Sequence, residues 1–195
     1  MAIAVLSFAS FASAHADLLA FPANESHFHS GQWEGELGQA LMFSPALGVS
    51  RPPVDYTFTD ITAGYMLTDI HGQSIWRGNL ETLGSLFVGG IFDGRGNYIA
   101  GGTFWLRYNF LMPGSRFVPY AQAGWGLTES DLDRRIEGQN FNFNLDGAVG
   151  TRYLITATWS VNLECRYQHI SNAHLARPNA GIDAIGPAIS ISHFF

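Results

Sequence analysis

The sequence predicts an all-β chain: an eight-stranded antiparallel transmembrane β-barrel. Three observations carry this. Eight segments of ten or more residues, rich in aromatic, β-branched and Gly residues, recur along the chain with turn-rich stretches between them. Charged residues make up only 13% of the 195, against about 25% in ordinary globular domains. Beyond the first residues, no run of about 20 apolar residues offers a membrane-spanning helix.

The eight segments fall near 32–43, 56–69, 78–92, 97–111, 116–128, 140–155, 158–171 and 183–195. Their separators alternate in character. "SPALGVSRPPVD", "DGRGN", "ESDLDRRIEGQ" and "NAHLARPNAGI" are polar, Gly/Pro-rich or charged, whereas "HGQSIWRG", "MPGSR" and "ITAT" tend to be shorter. Outer-membrane barrels show this asymmetry between outer loops and periplasmic turns. A periplasmic N-terminus places the first four outside.

Period-2 alternation is plainest in two successive segments. Over 140–153 the odd positions Phe141, Phe143, Leu145, Val149 and Tyr153 are apolar, and Asn142, Asn144, Asp146 and Arg152 are polar. Over 158–171 the odd positions are Trp159, Val161, Leu163, Cys165 and Tyr167. The even ones are Ser160, Asn162, Glu164, Arg166 and Gln168. A soluble sandwich alternates too, with its apolar face inward. Charge scarcity and the ends of the chain favour lipid. "MAIAVLSFASFASAHA" reads as the apolar part of a secretory signal with "AHA" as its cleavage site, although the basic n-region is missing. Residues 1–16 are therefore expected to be a signal peptide, truncated at its basic end, and 17–195 a single barrel domain. The last residue, Phe195, is in phase with Ile191 and Ile189. This end resembles that of bacterial outer-membrane barrels, whose terminal aromatic is read by the assembly machinery. Eight strands enclose a lumen that side chains fill, so the polar even-numbered residues are expected to form an internal network rather than a pore. Trp33, Trp105, Trp125 and Trp159 are expected as interface or wall aromatics.

A net charge of −6 gives no support to a nucleic-acid partner, and one Cys excludes an internal disulfide. Cys165 shares its face with apolar residues only, where a thiol is inert. The seven His residues show no metal-site spacing. No metal or cofactor is expected. Arg134, Arg135 and Arg177 fall in predicted outer loops as solvated charges or phosphate contacts.

His169 and Ser171 sit two apart at a strand end, on one face, with Cα atoms about 6.5–7 Å apart. A serine needs a base to take its proton, and the base needs a group to hold its tautomer. A hairpin around 172–182 is expected to put Ser171 roughly opposite Asp183 and His169 diagonal to it. Glu164 is on the other face by parity; Asp131 and Asp133 are fallback acids. Asn172 and Asn179 can donate to an oxyanion. His-x-Ser with a nearby Asp, taken alone, is a weak signal: a His and a Ser at a strand end are far more often structural or merely solvated.

"HISNAHLARPNAGID" resembles the signature of the lipid A 3-O-deacylase family, eight-stranded outer-membrane barrels that trim an acyl chain from lipopolysaccharide. The matching positions are His169, Ser171, Asn172, Ala173, Leu175, Pro178, Asn179, Gly181 and Ile182. The resemblance implies His169 as base, Ser171 as nucleophile and Asn179 as an oxyanion contributor. It covers about the last 30 residues by motif, with Asp183 standing where a familiar member has Glu. The expected function is an outer-membrane serine esterase acting on lipid A, with its triad on the lipid-facing wall. The alternatives are a non-catalytic structural or binding barrel and a barrel acyltransferase.

Overall fold

The computed structural model describes residues 24–45 and 53–195; the expected signal peptide lies outside them. Eight antiparallel strands close into one barrel in sequence order. They are β1 (Trp33–Met42), β2 (Asp55–Met66), β3 (Gly78–Asp93), β4 (Tyr98–Phe110), β5 (Phe117–Ser130), β6 (Phe141–Leu154), β7 (Trp159–Ser171) and β8 (Ile182–Phe194). β1 pairs with β8, so no sheet edge is left. Full closure satisfies the backbone internally, which hydrocarbon demands.

Burial inverts the pattern of a soluble protein. Leu86, Val149, Ile61, Leu145 and Leu163 are more than half exposed on the outer wall, while Arg107 and Arg152 are at most 2% exposed in the lumen. In water such a wall would be unstable; against acyl chains it is satisfied. The luminal guanidinium groups are paired. Arg166 binds Asp60 at 2.8 Å and Glu164 at 2.7 Å. Arg152 binds Glu34 at 2.9 Å, and Arg107 reaches Glu36 at 3.4 Å. Two apolar caps enclose this polar belt. One, at the periplasmic end, gathers Phe28, Met66, Leu111, Val118, Leu154 and Phe194. The other lies under the outer loops and includes Met42, Tyr56, Phe58, Leu132, Ile136, Ile170 and Ile182.

The wall reading of the tryptophans needs one correction. Trp33, Trp125 and Trp159 are exposed on the outside, but Trp105 is 3% exposed. β4 runs in the opposite phase, with even positions outward, so Trp105 points into the lumen. There its indole N–H donates to Ser85 Oγ at 3.1 Å, and the Arg166 guanidinium lies 5.2 Å from its ring.

Candidate functional site

β7 and β8 set the site. Their register pairs His169 directly with Asp183, Tyr167 with Ile185 and Ile170 with Ile182. The sequence expectation placed Ser171 opposite Asp183; the pairing is displaced by two residues. Ladder pairing stops at Ile182 because Gly181, the next partner in line, has φ +70, which turns the chain away. The consequence is a shorter path from acid to imidazole. His169 Nδ1 lies 2.7 Å from Asp183 Oδ1. An ionised carboxylate only accepts, so Nδ1 carries the proton and Nε2 keeps its lone pair. Ser171 follows on the same face. Among the described residues, no hydrogen bond joins Ser171 Oγ to the imidazole; such contacts are commonly long before substrate arrives.

All three side chains leave the barrel wall on the lipid side. His169 and Asp183 side chains are 33% and 43% exposed. Leu145 of β6 stands beside His169, and Phe143 beside Ser171. Glu164, discounted by parity, is in the lumen, held by Arg166, Tyr120 and Gln122.

The loop after Ser171 folds back by way of two non-glycine residues with left-handed backbone, Ala173 (φ 51) and His174 (φ 63). Such conformations cost energy and persist where surroundings over-determine them. Asn172 supplies that here. Its carbonyl accepts from Leu175 N–H at 3.0 Å, its Nδ2 donates to the Pro178 carbonyl at 3.0 Å, and its backbone N–H donates to Asn179 Oδ1 at 2.9 Å. With Asn172 fully buried, its side-chain amide is committed to the loop. Asn179 points its Nδ2 outward, 3.2 Å from His174 Nδ1, at the mouth of a depression lined by His174, Arg177, Pro178 and Asn179.

The β5–β6 loop grips this turn. Gly138 N–H donates to the Pro178 carbonyl at 2.8 Å and Ala180 N–H to the Ile136 carbonyl at 3.0 Å. A Cβ on Gly138 would stand 2.6 Å from the Arg177 carbonyl oxygen, so only glycine allows this approach. Glu137 is fully buried between the loops, and its Oε1 accepts the Gly181 N–H at 2.6 Å. Burial pushes the Glu137 carboxyl above its ordinary range, against the pull of the Gly181 amide, Asn172 and His169.

Two residues near the centre escaped the sequence reading. Tyr167, counted among the greasy wall, donates its hydroxyl to Asp183 Oδ1 at 2.6 Å. Its signal was present: it shares the phase of His169 and lies diagonal to Asp183 once the register is known. Glu137 left no signal, because loop-to-loop contact has no sequence period.

Comparison with known proteins follows the same lines. A family model described as lipid A 3-O-deacylase (PagL) matches residues 54–192. No curated protein matches significantly. Among solved structures, Neisserial surface protein A superposes with a TM-score of 0.61 at 16% identity, covering 84% of this chain and 97% of that one. The N-terminal β-barrel domain of Pseudomonas aeruginosa OprF gives 0.56 at 16%, over 85% and 98%. The outer membrane enzyme PagL gives 0.53 at 17%, over 80% and 97%. Identities this low show a shared barrel fold alone. The family match, however, spans most of the chain from just before β2 into β8 and contains every residue of the lipid-facing constellation, and the chain therefore belongs to the lipid A 3-O-deacylase (PagL) family of the outer membrane.

Proposed function

We propose that this barrel hydrolyses an ester-linked 3-hydroxyacyl chain of lipid A, at position 3 of the sugar, with Ser171 as nucleophile, His169 as base and Asp183 as the acid that orients it. The observation that carries this is the 2.7 Å contact between His169 Nδ1 and Asp183, with Ser171 two residues along on the same lipid-facing wall. Nε2 takes the Ser171 proton as Oγ bonds to the ester carbonyl carbon. The tetrahedral oxyanion draws on Asn179 Nδ2 as a donor; the Asn172 backbone N–H holds Asn179 by its Oδ1. The imidazolium then gives its proton to the departing sugar oxygen, leaving an acyl-serine. Water, deprotonated by His169, attacks that ester, and the fatty acid leaves with Ser171 regenerated. This chemistry calls on no cofactor.

The site's exterior position suits its substrate. A lipid A ester lies between sugar and acyl chain, at the depth of an outer strand end, and reaches the wall by lateral diffusion. The lipid completes a pocket that protein alone leaves open. The test is mass spectrometry of lipid A from cells expressing the chain. Loss of one hydroxyacyl mass is the expected result. A gain of acyl mass would mean transfer, and unchanged lipid A would mean a structural barrel.

A further inference from the structure

We propose that Tyr167 is a positioning residue of this site: its hydroxyl and His169 Nδ1 share one oxygen of Asp183, and the shared contact fixes that carboxylate and moderates how strongly it holds an imidazolium. The inference rests on the triad reading above.

The geometry is compact. Tyr167 OH lies 2.6 Å from Asp183 Oδ1, and His169 Nδ1 lies 2.7 Å from that same atom. Tyr167 stands one pleat below His169 on β7, opposite Ile185, so its ring spans the diagonal to Asp183, a reach that aromatic side chains have in antiparallel sheets. The ring body stays against the apolar wall while its polar tip points at the carboxylate.

An acid on the lipid side of a barrel has few water contacts to spread its charge. Left with His169 alone, Asp183 would direct its whole charge at the imidazolium. A phenol donating to the same oxygen disperses that charge. It also fixes the carboxylate plane, so that Oδ1 stays aimed at Nδ1. Other titratable groups around the imidazole are Glu137 from the β5–β6 loop and, on the β7–β8 loop, His174 and Arg177. β6 contributes only Phe143 and Leu145 on this side, and Cys165 lies further down β7. Asp146 and Arg166 are across the wall in the lumen.

The experiment compares pH–rate profiles of wild type and Tyr167→Phe on lipid A in detergent micelles. This change deletes one oxygen and keeps the ring. The acid limb of kcat should move up by about half to one pH unit, a loss of roughly three- to tenfold below the limb. Above about pH 8 the two profiles should converge, with KM unchanged throughout. In an Asp183→Asn background, Tyr167→Phe should have no further effect on the limb. A superimposable profile, a loss uniform in pH, or an equal loss in the Asp183→Asn background would overturn the proposal. Ser171→Ala is run alongside. If it stays active, the triad reading falls and this inference with it; if it is inactive while Tyr167→Phe leaves the limb in place, only this inference falls.

Discussion

The same β7 strand carries two kinds of polar group, and they live in opposite worlds. Its even positions Glu164, Arg166 and Gln168 enter the lumen, where Arg166 and Asp60 side chains are 9% and 5% exposed and each charge has a partner. Its odd positions Tyr167, His169 and Ser171 leave the wall on the lipid side, where the His169–Asp183 pair is 33% and 43% exposed. Inside, polar groups are numerous, buried and for the most part bonded to one another. On the outer face of β7 they are few and grouped at one strand end. Charge buried among partners holds a fold and offers no path for a reactant. A polar group placed on a hydrocarbon-facing wall is costly, and its presence there points to chemistry rather than to scaffolding.

That contrast can be broken from either side. On the outside, Ser171→Ala should lower lipid A deacylation by about 10³-fold or more while the barrel still assembles. His169→Ala should cost a similar factor, and the double variant little beyond either. Near-full activity in Ser171→Ala would remove the nucleophile. On the inside, Arg166→Leu should do the reverse. It leaves Asp60 and Glu164 buried without their cation, costing about 3 kcal/mol in unfolding experiments in detergent, while activity per folded barrel stays within about twofold. An activity loss matching that of Ser171→Ala would mean that the two faces are not separate.

Asp183→Asn should follow, with a loss of about 100-fold and an intact fold, because an amide cannot stabilise the imidazolium. Asp183→Glu should retain appreciable activity. An asparagine variant equal to wild type would move the search to Asp131 or Asp133.

The smallest effect belongs to the loop brace. Glu137→Gln keeps an oxygen for the Gly181 N–H, so steady-state rates should stay within about threefold; Glu137→Ala loses that acceptor and should cost about tenfold. The raised Glu137 carboxyl also has a signature in stability. The native state binds its proton more tightly than the unfolded chain does, so stability falls as pH rises from about 4.5 through the raised value. Glu137→Gln should flatten that slope in unfolding measured from pH 4 upward; an unchanged slope would remove Glu137 as its source.

Strand count, phase and lipid-facing wall were legible in the sequence, because a strand's side chains alternate with a period of two and a bilayer reads one face of it. Phe141, Phe143 and Leu145 declare their face against Asn142, Asn144 and Asp146 whatever they pack on. His169, Ser171 and Asp183 could be assigned to the outer face on that basis alone, and the chain's motif pointed to their family. Tertiary structure decided the rest. Register depends on where the hairpin's turn releases the strands, here at Gly181, so only the folded pair shows His169 rather than Ser171 opposite Asp183. Trp105 shares the parity of Arg107 and Asn109, but its luminal partners Ser85 and Arg166 appear only in the closed barrel. Tyr167 became a partner of Asp183 through that register, and Glu137 through a contact between two loops that follow no period. Local alternation is written residue by residue along the chain; contacts across strands and between loops exist only after the barrel has closed.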